Sequence, residues 1–250
     1  MVCCAAGGTD GRVAAGMLLA QCARHAASKL DAEAAAVLPV AFRARFDPVR
    51  DAAAVWQDVW SELAASEASA LTLHGAAIVD ALLADLQADE WERRVAAAAV
   101  VEAVAATSGA ALQPFAPALA QQLLAQLPGR IWAGKPALPR AVGALAAHCA
   151  PAYEPAGATP DSAAVIAALV AACGRKHKEY AAAAADALQA ALRAFKRRSH
   201  ARAVVPLVEA AHAHLSADVD MATGARCVLR SSSKSTCVVR RACQQLARSV

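Results

Sequence analysis

The feature that most constrains this chain is a basic residue followed by a run of small apolar ones, returning five times. It heads "GRVAAGMLL" (Arg12), "VRDAAAVWQ" (Arg50), "RRVAAAAVV" (Arg94), "GKPALPRAV" (Lys135) and "HKEYAAAAA" (Lys178). The spacings between these basic residues are 38, 44, 41 and 43. A period in the forties is that of two-helix HEAT and armadillo units, each of which buries its apolar face only against its neighbours.

Helical periodicity fills in the units. After each basic string comes a second apolar-periodic segment, approximately 31–45, 68–87, 114–127, 160–173 and 200–215. Three of these carry a proline, Pro39, Pro117 and Pro206, which a first turn tolerates and a deeper position turns into a kink. Start signals fit as well. Asp89 is placed at a cap with Glu92 three residues on, and Thr159 and Asp47 each stand as caps before a proline. Alanine dominates, strand formers are scarce, and alanine is the best helix former. The fold class expected is all-α, an α-solenoid of HEAT/armadillo-like form with about five helix pairs.

The expected layout is a lead-in at 1–8, an array at 9–217 and a tail at 218–250. The repeats run approximately 9–46, 47–88, 89–128, 129–173 and 174–217. No polar capping repeat opens the array at "VAAGMLLAQCA", so the chain reads as a piece of a longer solenoid. The tail is expected to be weakly ordered or a loosely docked helix. The last thirty residues hold six cations and no acid, which leaves the preceding residues at −2 out of a total of +4. The basic balance therefore belongs to the tail and is poor evidence for a nucleic-acid-binding domain. No uninterrupted apolar run long enough to span a bilayer is expected, and "MVCCAAGGTDGR" lacks the basic and apolar regions of a signal peptide. A soluble chain of the cytoplasm or nucleus is the expectation. The eight cysteines are dispersed, without zinc spacing, and are expected to be reduced.

One string invites a catalytic reading. Gly129, Gly134 and Lys135 match the phosphate-binding loop G-x-x-x-x-G-K, but Pro136 replaces its Ser or Thr. That loop needs a strand before it and a hydroxyl for magnesium, and the preceding segment is helical in period. The alternative accounts for every letter: Gly129 ends a helix, Trp132 covers the junction, and Lys135 is the fourth basic beat. Pro139 is expected to delay the next helix to about Leu138. Trp91 and Trp132 hold matching places, three residues before Arg94 and Lys135, and are expected to pack between repeats. Arg12, Arg50, Trp91, Arg94, Trp132, Lys135 and Lys178 are thus the repeat framework. The histidines, including the pair at 212 and 214, make no ligand set. No catalytic, cofactor or metal site is expected. The cations Arg175, Lys176, Lys178, Lys196, Arg197 and Arg198 are the candidate interaction edge, against the plainer reading of solvated helix ends.

The string "LPGRIWAGKPALPRAVGALAAHC" resembles the segment G-R-T-W-x-G-K-E-x-L-L-x-A of the ECPAS-type proteasome adaptor and scaffold family. "ADEWERRVAAAAVVEAVA" and "HKEYAAAAADALQAALRAF" resemble two further repeat starts of that family, in the same order, over about residues 9–217. Pro136 stands where the family usually has an acid. The resemblance implies an all-HEAT, non-catalytic scaffold that binds the proteasome core or regulatory particle and links it to other proteins. Another HEAT class, a nuclear transport receptor or a tubulin-binding array, is the alternative.

Overall fold

A computed structural model describes residues 8–26, 33–154 and 159–196. Over these residues the chain is all-helical, without a strand. The helices are α1 (Thr9–His25), α2 (Ala34–Ala44), α3 (Arg50–Leu63), α4 (Glu67–Leu86), α5 (Trp91–Leu112), α6 (Ala116–Gln126), α7 (Ala137–His148), α8 (Ser162–Cys173) and α9 (Lys178–Lys196). Short 3-10 turns, Gln113–Phe115 and Ala150–Tyr153, precede α6 and follow α7. The predicted second helices of the first four units match α2, α4, α6 and α8. The segment 200–215 and the tail 218–250 lie outside the described residues.

Helix starts differ in detail from the sequence reading. α8 is capped by Asp161, whose carboxylate accepts from Ala164 N–H at 2.7 Å, two residues later than Thr159 would place it. Before α3, Asp47 accepts from Val49 N–H at 2.8 Å, but Val49 occupies the cap position. Asp89 is likewise displaced, because Glu90 is the residue that precedes α5 and it makes no side-chain cap. Ser66, which the sequence reading passed over, caps α4 through Ser69 N–H at 3.1 Å. Pro139 does not delay α7. It lies in the first turn, where its missing N–H would have had no helical partner anyway. Pro117 sits at the start of α6, and Pro39 sits inside α2.

Packing is local along the chain. Odd-numbered helices meet odd-numbered ones, α1 with α3, α5 with α7 and α7 with α9, while α2 meets α4, α4 meets α6 and α6 meets α8. The two sets are joined mainly by α2 with α3, α4 with α5, α6 with α7 and α8 with α9. The more extensive contacts between consecutive helices therefore join the second helix of one sequence unit to the first of the next. No extensive contact among the described residues links helices more than two apart in order. Alanine-rich faces let three of the odd-row junctions close up at a glycine. A Cβ on Gly16 would stand 2.8 Å from Val55, one on Gly109 2.8 Å from the His148 Cβ, and one on Gly143 2.7 Å from the Ala187 Cα.

Mean hydropathy measures bilayer-length segments differently from uninterrupted apolar runs. By length and composition two helical stretches, Glu67–Leu86 and Trp91–Gln126, are apolar enough to cross a membrane. Neither is an uninterrupted apolar run, because isolated Asp, Glu or Gln residues interrupt each. Within the protein, α4 and α5 pack on each other, and both bury apolar residues, Ile78, Leu82 and Leu86 of α4 and Val101 and Val104 of α5. Ser108 leaves the helical region and kinks the longer stretch.

Candidate functional site

The glycine-lysine string forms a loop that binds its own carbonyls. α6 ends at Gln126, and Gly129 takes a φ of +81°, the left-handed region that glycine reaches without strain. Gly134 takes +80°, and a Cβ there would also lie 2.6 Å from Val95 of α5. Two left-handed glycines fold the loop back so that Lys135 points inward. The lysine is buried, and its ammonium donates to the carbonyls of Pro128 at 2.7 Å and Arg130 at 3.1 Å. The Tyr180 hydroxyl donates to the Leu127 carbonyl at 3.0 Å, and the Arg175 guanidinium donates to the carbonyl of Gly129. Four consecutive carbonyls, 127 to 130, are thus met by three side chains. This is the negative end of α6, where cations are favoured.

The same geometry argues against a phosphate cradle. Such a loop aims free backbone N–H groups at an anion. Here the N–H of Lys135 goes to Trp132 O, that of Ala137 to Gly134 O and that of Leu138 to Lys135 O, and Pro136 has none. A helix precedes the loop where a strand would be needed, and the lysine charge faces oxygen atoms of the protein itself. Burial and the neighbouring Arg175 charge push the Lys135 ammonium below its ordinary value. The ring of Tyr180 lies 5.7 Å from the ammonium, and burial pushes its phenol up.

The five basic beats of the repeat do different work. Arg12 pairs with Asp47 at 2.8 Å, and its carbonyl accepts from the Trp56 indole at 3.1 Å. Arg94 donates to the Ala88 carbonyl at the end of the preceding helix. Arg50 and Lys178 are exposed at the first residues of α3 and α9. The two tryptophans also diverge: Trp132 packs half-buried against the core, while Trp91 is 43% exposed. On the candidate edge, Arg175, Lys176 and Lys178 are exposed, and Arg175 reaches the carbonyl of Gly129, next in the chain to exposed Arg130. Lys196 is the last residue of α9, and Arg197 and Arg198 lie outside the described residues.

Several residues that organise these junctions were not visible in the sequence. Arg45 lies 4.6 Å from the centroids of Phe42, Phe46 and Trp60 and pairs with Glu67. Burial raises the Glu67 carboxyl, but hydrogen bonds from Thr107, Arg45 and Ser108 and the Arg45 charge outweigh it and hold the group below the usual range. Asp85, a buried acid, is held by Arg43 of α2 and Arg93 of α5. The chain has only two tyrosines. Both are buried, and each hydroxyl reaches a carbonyl of an earlier unit, Tyr153 to Ala116 at 3.4 Å and Tyr180 to Leu127. Their rarity in an alanine-rich sequence was the one available signal. Cys149 is buried, with its thiol on the Gly109 carbonyl at 3.3 Å and its pKa pushed up to about 12 by burial.

Cys22, Cys149 and Cys173 are free thiols, and no cluster of His, Cys, Asp or Glu fit to hold a metal occurs among the described residues. Compared with protein families, curated proteins and solved structures, the chain matches none.

Proposed function

We propose that the chain is a stretch of HEAT/armadillo-like α-solenoid serving as a non-catalytic scaffold or adaptor module. The observation that carries the reading is the span shared by six of its cross-helix bonds, from which Arg45 to Glu67 at 22 residues and Tyr180 to Leu127 at 53 depart. Trp56 to Arg12 covers 44 residues, Arg43 to Asp85 42, Thr107 to Glu67 40, Gln126 to Leu86 40, Cys149 to Gly109 40 and Tyr153 to Ala116 37. One repeat length recurs in the contacts as it does in the basic beats. Among the described residues, extensive packing between helices at most two apart is what a one-dimensional stack of repeats requires.

The partner proposed is the proteasome, through its core or regulatory particle, on the strength of the G-R-x-W-x-G-K resemblance alone. The loop edge with Arg130, Arg175, Lys176 and Lys178 is the surface proposed to meet it. The test is binding of the immobilised chain to purified core particle and purified regulatory particle, each at physiological salt. Saturable capture of either supports the reading, with weakening in the Lys176→Glu/Lys178→Glu variant. Binding to neither overturns the partner, and saturable binding to tubulin or to a transport receptor's cargo instead assigns the module to another HEAT class.

A further inference from the structure

The helix contacts fall into two groups. α1 packs on α3 and α3 on α2, while α4 to α9 are linked among themselves. Among the described residues only one extensive helix contact, α2 against α4, crosses from the first group to the second. The odd-numbered row explains why. Its junctions α1–α3, α5–α7 and α7–α9 are the ones closed at Gly16, Gly109 and Gly143. Between α3 and α5 contact is at most marginal, and α3, "RDAAAVWQDVWSEL", contains no glycine. The row that is tight elsewhere is interrupted there.

Besides the apolar surface of α2 at Leu38, Ala41 and Phe42, which shares one core with Leu71 and Ile78 of α4, a pair of arginines spans the break between the groups. The end of α2 sends Arg43 to Asp85, near the last turn of α4, while Arg45, just beyond α2, reaches Glu67 at the first residue of α4. Arg45 is fixed on the side of the first group, wedged among Phe42, Phe46 and Trp60. Arg93 of α5 and Thr107 of α5 hold the two carboxylates from the other side. Interlocked apolar packing resists sliding because it is dense. Long charged side chains keep a contact through a change of angle, and hinges sit where few packed surfaces cross.

We propose that α1–α3 swing as a unit on α4, with the α2–α4 contact as the pivot and the Arg43–Asp85 and Arg45–Glu67 pairs as its restraints. The proposal stands on the contacts and does not depend on the partner of the scaffold.

The experiment is a distance-distribution measurement by electron spin resonance on the full chain. Spin labels go on p-acetylphenylalanine, which avoids the native cysteines. One pair, at Leu18 of α1 and Ala182 of α9, crosses the pivot. A control pair, at Ala106 of α5 and Ala182, stays within the second group. All three positions are exposed. The expected result is a crossing distribution at least twofold broader than the control in the native chain, and broader still in Asp85→Asn/Glu67→Gln with the control unchanged. Equal widths for the two pairs in the native chain overturn the proposal, a comparison that holds even if the double variant fails to fold.

Discussion

Replacing Lys135 by methionine keeps the bulk of the side chain and removes its charge. In the native loop the ammonium donates to two carbonyls, Pro128 and Arg130. Hydrogen bonds to a charged group are worth about 1.5–3 kcal/mol each, so roughly 3–6 kcal/mol is lost. Against this stands the penalty of burying an ammonium, which is several kcal/mol and is expressed here as the downward push on its pKa. Pro128 and Arg130 are exposed residues, so water can reach their freed carbonyls in part. The net expectation is a loss of about 2 kcal/mol, or roughly 4–8 °C in Tm for a chain of this size. The assay is thermal unfolding followed by helical circular dichroism. The helix-terminus account also requires that Lys135→Met leave any affinity for ATP unchanged. A variant as stable as the native protein would refute the reasoning, since the buried cation would then be holding nothing that methionine cannot. A nucleotide affinity that is lost in the variant would refute it from the other side.

Three further outcomes follow from the same geometry. Glu67 is held below its ordinary carboxyl value in the folded chain. Its contribution to stability is therefore present above the unfolded pKa of 4.5 and lost as pH falls through the lower folded value, so Glu67→Gln should be destabilised at pH 7 and show a shallower acid loss in urea titrations. Cys149, raised to about 12, should resist alkylation at pH 8 in the folded protein while half-buried Cys22 is modified, as read by peptide mass mapping before and after urea. Gly143→Ala would put a Cβ 2.7 Å from the Ala187 Cα, against backbone that cannot rotate away, and should lower stability by about 1–3 kcal/mol in chemical denaturation.

The elements were legible because alanine content and a forty-residue beat act over whole helices, and local errors average out. The caps were less so. Asp47, Asp89 and Thr159 were each named one or two residues early, because the proline or acid that signals a start does not say which residue turns first. The role of Lys135 was legible only as a beat. Nothing in a sequence tells whether a lysine beside two glycines points outward or folds back onto Pro128 and Arg130; that is decided by the left-handed φ of Gly129 and Gly134 and by Val95 lying against the second of them. Trp91 and Trp132 share a place in the repeat, yet only Trp132 sits in a loop that folds over the core, so one is half-buried and the other exposed. Arg45 and Asp85 were illegible because their partners, Glu67 and Arg43, come from other units and no local pattern marks them.

The bonds from side chains of one unit to carbonyls of another share a direction. Trp56 donates to Arg12, Gln126 to Leu86, Cys149 to Gly109, Tyr153 to Ala116, Arg175 to Gly129 and Tyr180 to Leu127. In every case the donor comes later in the chain. Shortening the protein from its two ends is therefore not equivalent. Trimming helices from the front removes acceptors and leaves behind donors such as Trp56 that can turn to water. Trimming from the back, for instance after Cys173, strips the donors from Leu127 and Gly129 while their carbonyls stay in place. Dissection of these helices into working pieces should place its cuts by the donor that finishes a unit, one helix beyond where the unit itself ends.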